Sequence, residues 1–162
     1  MSTFIMTSLT TIARAWAAAL TTDADLAAWC QQECGKAPAV FMATANSQDC
    51  EWGRQDAPYI AILPPSSRTG AEVDVHEYEF LLNLGLVMTG YVEGVAWKEP
   101  KGFGALEQSF ATLVLEALAT TDYAPDEIEA ETFPAQANFF EMVMAITVRV
   151  PFTIGGPERT IG

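Results

Sequence analysis

The sequence is short of the residues on which most enzyme chemistry depends. It carries a single histidine, His76, and three cysteines, Cys30, Cys34 and Cys50. A nucleophilic triad would need His76 beside both a nucleophile and an orienting carboxylate, and nothing in the spacing supplies that set. There is no glycine-rich phosphate loop, no G-x-S-x-G elbow and no C-x-x-C pair. The cysteines are too few for a disulfide-built scaffold, and their odd number fits a reducing, cytosolic origin. Basic residues are scarce as well: 8 Lys and Arg stand against 21 Asp and Glu, a formal net charge of −13. Such a field repels phosphate backbones and anionic lipid surfaces, which argues against nucleic acid and membrane as partners. No stretch approaches the roughly 18 uninterrupted apolar residues that span a bilayer. The run ending at Ala17, Ala18 and Ala19 has no preceding positive charge and is interrupted by Arg14, unlike a signal peptide. The expectation is a soluble, non-enzymatic protein without metal or cofactor.

What is present is apolar material in quantity. Half of the 162 residues are hydrophobic and 18% are charged, which excludes a disordered acidic tail. The length suits one domain, expected over residues 1–154, with a flexible tail over 155–162. The acidity is uneven. Between Lys101 and Arg149 there is no basic residue, while Glu107, Glu116, Asp122, Asp126, Glu127, Glu129, Glu131 and Glu141 all fall inside. This stretch reads either as a solvated face that keeps the protein in solution or as a docking patch for a basic partner.

Hydrophobic periodicity orders the chain. Ile5, Leu9, Ile12, Trp16 and Leu20 lie on one stripe of a predicted helix. Asp23 is a plausible cap for a second helix through Cys34, stopped by Gly35. Ala39–Ala43 has the makings of a short strand, and Asn46–Asp56 reads as loop. Tyr59–Leu63 is a short strand closed by Pro64 and Pro65, which cannot donate ladder hydrogen bonds. An exposed connection then runs to Ala71. From Val75 to Thr89 the even positions from His76 to Met88 are mostly apolar and the odd ones mostly polar, a strand about 45 Å long. Gly90–Gly104 reads as a loop, followed by a helix from Ala105 to Ala119 that buries Leu106, Phe110, Leu113, Val114 and Ala117. Glu127–Phe133 suits an edge strand blunted by charge. Asn138–Phe152 resumes the alternation with Phe140, Met142, Met144, Ile146, Val148 and Val150 on one face. The fold class that satisfies these patterns is α+β: a four-stranded antiparallel sheet, in the order α-(α)-β-β-α-β-β, with helices packed on one face.

Several groups of residues admit two readings. Cys30 and Cys34 sit one helical turn apart and, with Cys50 and His76, have the composition of a zinc site; equally, they are small core residues. The pairs Glu77 with Glu79 and Glu129 with Glu131 read as cation ligands or as solvent-facing carboxylates. Trp52, Tyr91, Trp97 and Phe103 fall in expected loops, where aromatics either anchor the loop or face a partner.

The amphipathic helix Ile5–Leu20, the strand Tyr59–Leu63, the long strand Val75–Thr89, the helix Ala105–Ala119 and the closing strand Asn138–Phe152 form an order that resembles the tail-terminator and tail-completion proteins of long-tailed bacteriophages. The resemblance covers nearly the whole chain and rests on element order, with no diagnostic motif. It implies a structural virion subunit, assembled in the host cytoplasm, forming a homo-oligomeric ring, commonly a hexamer. Such a ring caps the tail tube and joins tail to head through other completion proteins. In a ring of this kind identical subunits meet head to tail. The implied contact residues are Ser66, Arg68, Tyr91, Trp97, Lys98, Phe103, Glu129 and Glu131. The second helix and the 36–57 region exceed the family's minimal pattern. The alternative is a small acidic adaptor domain that recognises a basic protein partner.

Overall fold

The computed structural model describes residues 4–5, 8–42, 52–69, 75–151 and 153–154. The chain begins with a two-residue strand β1 (Phe4–Ile5) and continues into helices α1 (Leu9–Thr22) and α2 (Ala24–Cys34). Strand β2 (Ala39–Met42), a single 3-10 turn (Arg54–Asp56), β3 (Tyr59–Thr69) and β4 (Val75–Val87) follow. A continuous helical stretch comes next: α3 (Lys101–Gly104), a π-helical segment (Ala105–Phe110) and α4 (Ala111–Ala119). Strands β5 (Glu127–Thr132), β6 (Phe139–Pro151) and β7 (Thr153–Ile154) complete the order, and β1 pairs with β7 in a small ribbon of their own.

The main sheet has five strands in the order β2-β3-β4-β6-β5. The expectation of α+β holds, but the four-stranded antiparallel sheet does not: β2 adds a fifth strand, parallel to β3, so the sheet is mixed. Parallel strands cannot be joined by a two-residue hairpin, and residues 43–58 separate β2 from β3. Four residues of β2 are too short a run for periodicity to reveal their direction.

Local chemistry sets the helix limits. Ser8 caps α1, its side chain accepting from the Thr11 N–H at 3.1 Å, so the helix starts at Leu9 and the expected Ile5 start is corrected. Asp23 caps α2 by accepting from Leu26 N–H at 2.8 Å, and Gly35 ends it at φ 77°, both as the sequence predicts. The third helix begins at Lys101, four residues before the expected Ala105, and Gly102 in its first turn presses against the Phe140 ring. A Cβ there would stand 2.1 Å from that ring. The helix ends at Ala119, as expected; the hydroxyls of Thr120 and Thr121 fold back onto the Ala117 and Leu118 carbonyls.

The core lies between the helices and one face of the sheet. Ile12, Trp16, Leu20, Leu26, Phe110, Val114 and Leu118 cover Ile60, Ile62, Phe80, Leu82, Leu84, Leu86, Met144 and Ile146, all of them buried. Trp16 packs on Phe80 with ring centroids 4.6 Å apart and donates its Nε1–H to the Tyr123 carbonyl at 3.0 Å. That bond ties the turn after the third helix to the first helix. Cys30 belongs to this core and Cys34 packs at its margin.

Strands β4 and β6 pair over their full length, from Val75↔Pro151 to Val87↔Phe139. Pro64 and Pro65 do not close β3. The ladder slips by one residue between Leu63 and Ser66 and then resumes, so the missing N–H groups sit at a bulge. The strand expected to reach Thr89 ends at Val87, and β5 ends at Thr132 rather than Phe133.

Candidate interaction surfaces

The sheet face turned away from the helices holds a row that crosses three strands. Tyr59, Gly85 and Glu141 stand side by side in register. The Tyr59 ring lies over Gly85, where a Cβ would come within 2.3 Å of it, and the phenol donates to Glu141 Oε2 at 2.7 Å. Glycine at 85 is therefore what lets the ring lie flat across the central strand. Asn83 completes the network: its Oδ1 accepts from Trp52 Nε1–H at 2.8 Å, and its Nδ2 donates to the Met142 carbonyl at 3.1 Å. Trp52, expected as an anchor or an interface residue, is an anchor. The geometry pins the 52–59 segment onto the sheet.

Toward the other end of that face, Arg149 donates to Glu127 at 2.9 Å and to Glu77 at 3.0 Å, linking β5, β6 and β4. Hydrogen bonds to Glu127 and then to Glu77 push its pKa up. Asp126 adds a carboxylate that accepts the Arg149 backbone N–H at 2.7 Å. Beside this cluster Glu79, Glu127, Ile128, Glu129, Ala145 and Thr147 line a shallow trough of about 540 Å³. Glu129 and Glu131 are exposed on β5, where the sequence puts them, and no cation pairs with either among the described residues.

A third surface is formed by the segment between β4 and the third helix. Val92 N–H donates to the Glu99 carbonyl at 2.8 Å, Lys101 N–H donates to the Gly90 carbonyl at 3.0 Å, and Tyr91 bridges to Pro100. Gly90 and Gly94, at φ 95° and 82°, make the reversals this small loop requires. Its aromatics point outward: Trp97 is 63% exposed and Tyr91 52%, and Phe103, just beyond it, is 45% exposed. Lys98 Nζ sits 5.3 Å from the centre of the Tyr91 ring, and Trp97 Nε1–H donates to Glu99 Oε1 at 3.2 Å. Phe103 is not in the loop as expected. It lies in α3, edge-on to Phe140 at 5.3 Å, because the helix starts early.

Ser66 and Arg68, expected in an exposed connection, lie within β3, opposite Glu79 and Glu77. That corrects their setting from loop to strand. The structure therefore does not gather the eight expected contact residues in one element. Tyr91, Trp97 and Lys98 share the loop, Phe103 follows it on α3, Ser66 and Arg68 belong to β3, and Glu129 and Glu131 belong to the far edge.

Burial pushes the Cys30 thiol up to about 12, with a further push from Cys34; Cys34 itself is raised by burial first and by Glu33 second. Both are free thiols. Among the described residues no three His, Cys, Asp or Glu side chains gather as a metal site requires, which covers Cys30, Cys34 and His76; Cys50 lies outside them. No described helix is long and apolar enough to cross a membrane.

Sequence reasoning missed the Arg149 cluster and the Tyr59–Asn83–Glu141 network. Arg149 carried one signal, as the basic residue that ends a long acidic stretch. The network carried none, since its members come from separate strands. The fold and its surfaces thus define an α+β protein with a five-stranded mixed sheet, helices on one face, an acidic outer edge and an aromatic loop. In comparisons with known proteins, no family model matches the chain and no curated protein matches it significantly.

Proposed function

We propose that this chain is a structural subunit of a phage virion: a homo-oligomeric ring component that terminates or completes the tail and joins it to the head. The observation that carries the reading is the aromatic segment between β4 and the third helix. Tyr91, Val95 and Trp97 in this segment and Phe103 just after it on α3 are most of the large hydrophobic side chains exposed among the described residues, and they fall within thirteen residues of chain. Interfaces favour aromatic side chains at their centres, and a loop held by its own backbone bonds loses little conformational entropy on docking. A ring needs two different surfaces on each subunit, since heterologous contacts close by rotation. The aromatic loop supplies one. In this reading the ring is commonly a hexamer, and other tail or head-completion proteins stack on it.

The test is assembly. Light scattering and negative-stain microscopy of the concentrated protein are expected to give rings, and Trp97→Ala is expected to give monomer with an unchanged unfolding midpoint. Monomer alone in the unaltered protein at high concentration, with no rings in the presence of other tail components, overturns the reading. The same variant unfolding early would instead make Trp97 a packing residue.

A further inference from the structure

We propose that the free edge of β5 is an acceptor for an extended segment of another protein, one that alternates lysine or arginine with apolar residues. β5 is the outermost strand on its side of the sheet, and all of its residues, Glu127 to Thr132, are exposed. Its inner side is used up by β6. Phe133 N–H donates to the Glu141 carbonyl at 3.0 Å, and hydrogen-bonded and non-bonded pairs alternate along an antiparallel ladder. It follows that the backbone N–H and C=O groups of Ile128, Ala130 and Thr132 point away from β6, toward the open edge. This is the template an added strand uses.

The side chains state what the added strand must be. On the open face β5 presents Glu127, Glu129 and Glu131; Glu127 is held by Arg149, which leaves Glu129 and Glu131 without a cation among the described residues. On the helix-covered face it presents Ile128, which stays 44% exposed although it sits opposite the buried Ile146. An incoming strand with cations on one face and aliphatic side chains on the other would pair the glutamates and cover Ile128 together. A second copy of β5 is the wrong occupant, because antiparallel self-pairing would set glutamate against glutamate. The same carboxylates that blunt the edge against self-association thus make it selective for a basic strand. This inference stands apart from the ring reading and does not depend on it.

The probe is a synthetic peptide alternating lysine with valine, added to the whole chain and followed by fluorescence anisotropy and amide hydrogen exchange. Saturable binding is expected, with slower exchange at Ile128, Ala130 and Thr132. A peptide of the same sequence, N-methylated on the pairing edge, keeps its charge but cannot add to the ladder, and it is expected to lose most of the affinity. Glu129→Lys combined with Glu131→Lys is expected to weaken binding at least about tenfold, and both sites are exposed, so folding should persist. Equal binding by the N-methylated peptide would reduce the effect to diffuse electrostatic attraction and overturn the proposal. No binding, or protection confined to other strands, would overturn it too. None of these outcomes bears on whether rings form.

Discussion

Gly85 shows how much one missing side chain can decide. The Tyr59 ring occupies the space a Cβ at position 85 would need, 2.3 Å from the nearest ring carbon, and its hydroxyl is fixed by Glu141. The ring cannot retreat without giving up that bond. Gly85→Ala should therefore destabilise the protein by about 3 kcal/mol, read as a lower urea midpoint at constant slope. A second residue-scale prediction concerns Cys30. Its thiol titrates near 9.0 when free and is pushed to about 12 in the fold by burial and then by Cys34. The native state therefore holds a proton that the unfolded chain releases. The stabilisation is fully present below about pH 9 and is lost as pH rises toward 12. Tyr78, raised by burial and then by Tyr123, acts in the same direction. Unfolding free energy measured from pH 8 to 11 should fall with a visibly shallower slope in Cys30→Ala than in the parent. Equal slopes would mean the thiol does not carry the effect.

Among the elements, β4 and β6 hold the sheet together, since each pairs with the other along its whole length and with a further strand on its far side, β3 and β5. Phe80 and Ile146 face each other across them and are both fully buried. Phe80→Asp or Ile146→Asp places an unpaired carboxylate in the core, at a cost on the order of 5 kcal/mol. That matches or exceeds the margin by which many domains are stable. Circular dichroism at 25 °C should show the loss of cooperative unfolding in either variant. Both strands were legible in the alternation of Phe80, Leu82, Leu84 and of Met142, Met144, Ile146, because a half-buried strand must alternate. So were α2, from its Asp23 and Gly35 caps, and β5, from its glutamates. The direction of β2 and the continuation of β3 past Pro64 were not legible. A four-residue strand has no period to read, and a bulge lets proline remain inside a strand that propensity would end.

At the scale of the molecule, the covered face of the sheet is spent on stability, which leaves the outer face, the β5 edge and the aromatic loop for contact. Exchanging Trp97, which is 63% exposed, should leave thermal unfolding within about 0.5 kcal/mol of the parent, while the proposed ring reading has it remove large species from light-scattering traces. The amino-acid order by itself determined where the apolar faces are, which segments coil or extend, and that the stretch between Lys101 and Arg149 carries acid with no base. These are local properties: a period, a cap and a charge count each belong to a few neighbouring residues. Only the tertiary structure decided that Tyr59 crosses Gly85 to reach Glu141, and that Arg149 joins three strands. It also decided that β2 runs parallel and that Phe103 belongs to a helix. Each of those facts rests on residues far apart in the chain being brought within a few ångströms, and strand order and register, which no short window contains, are what bring them together.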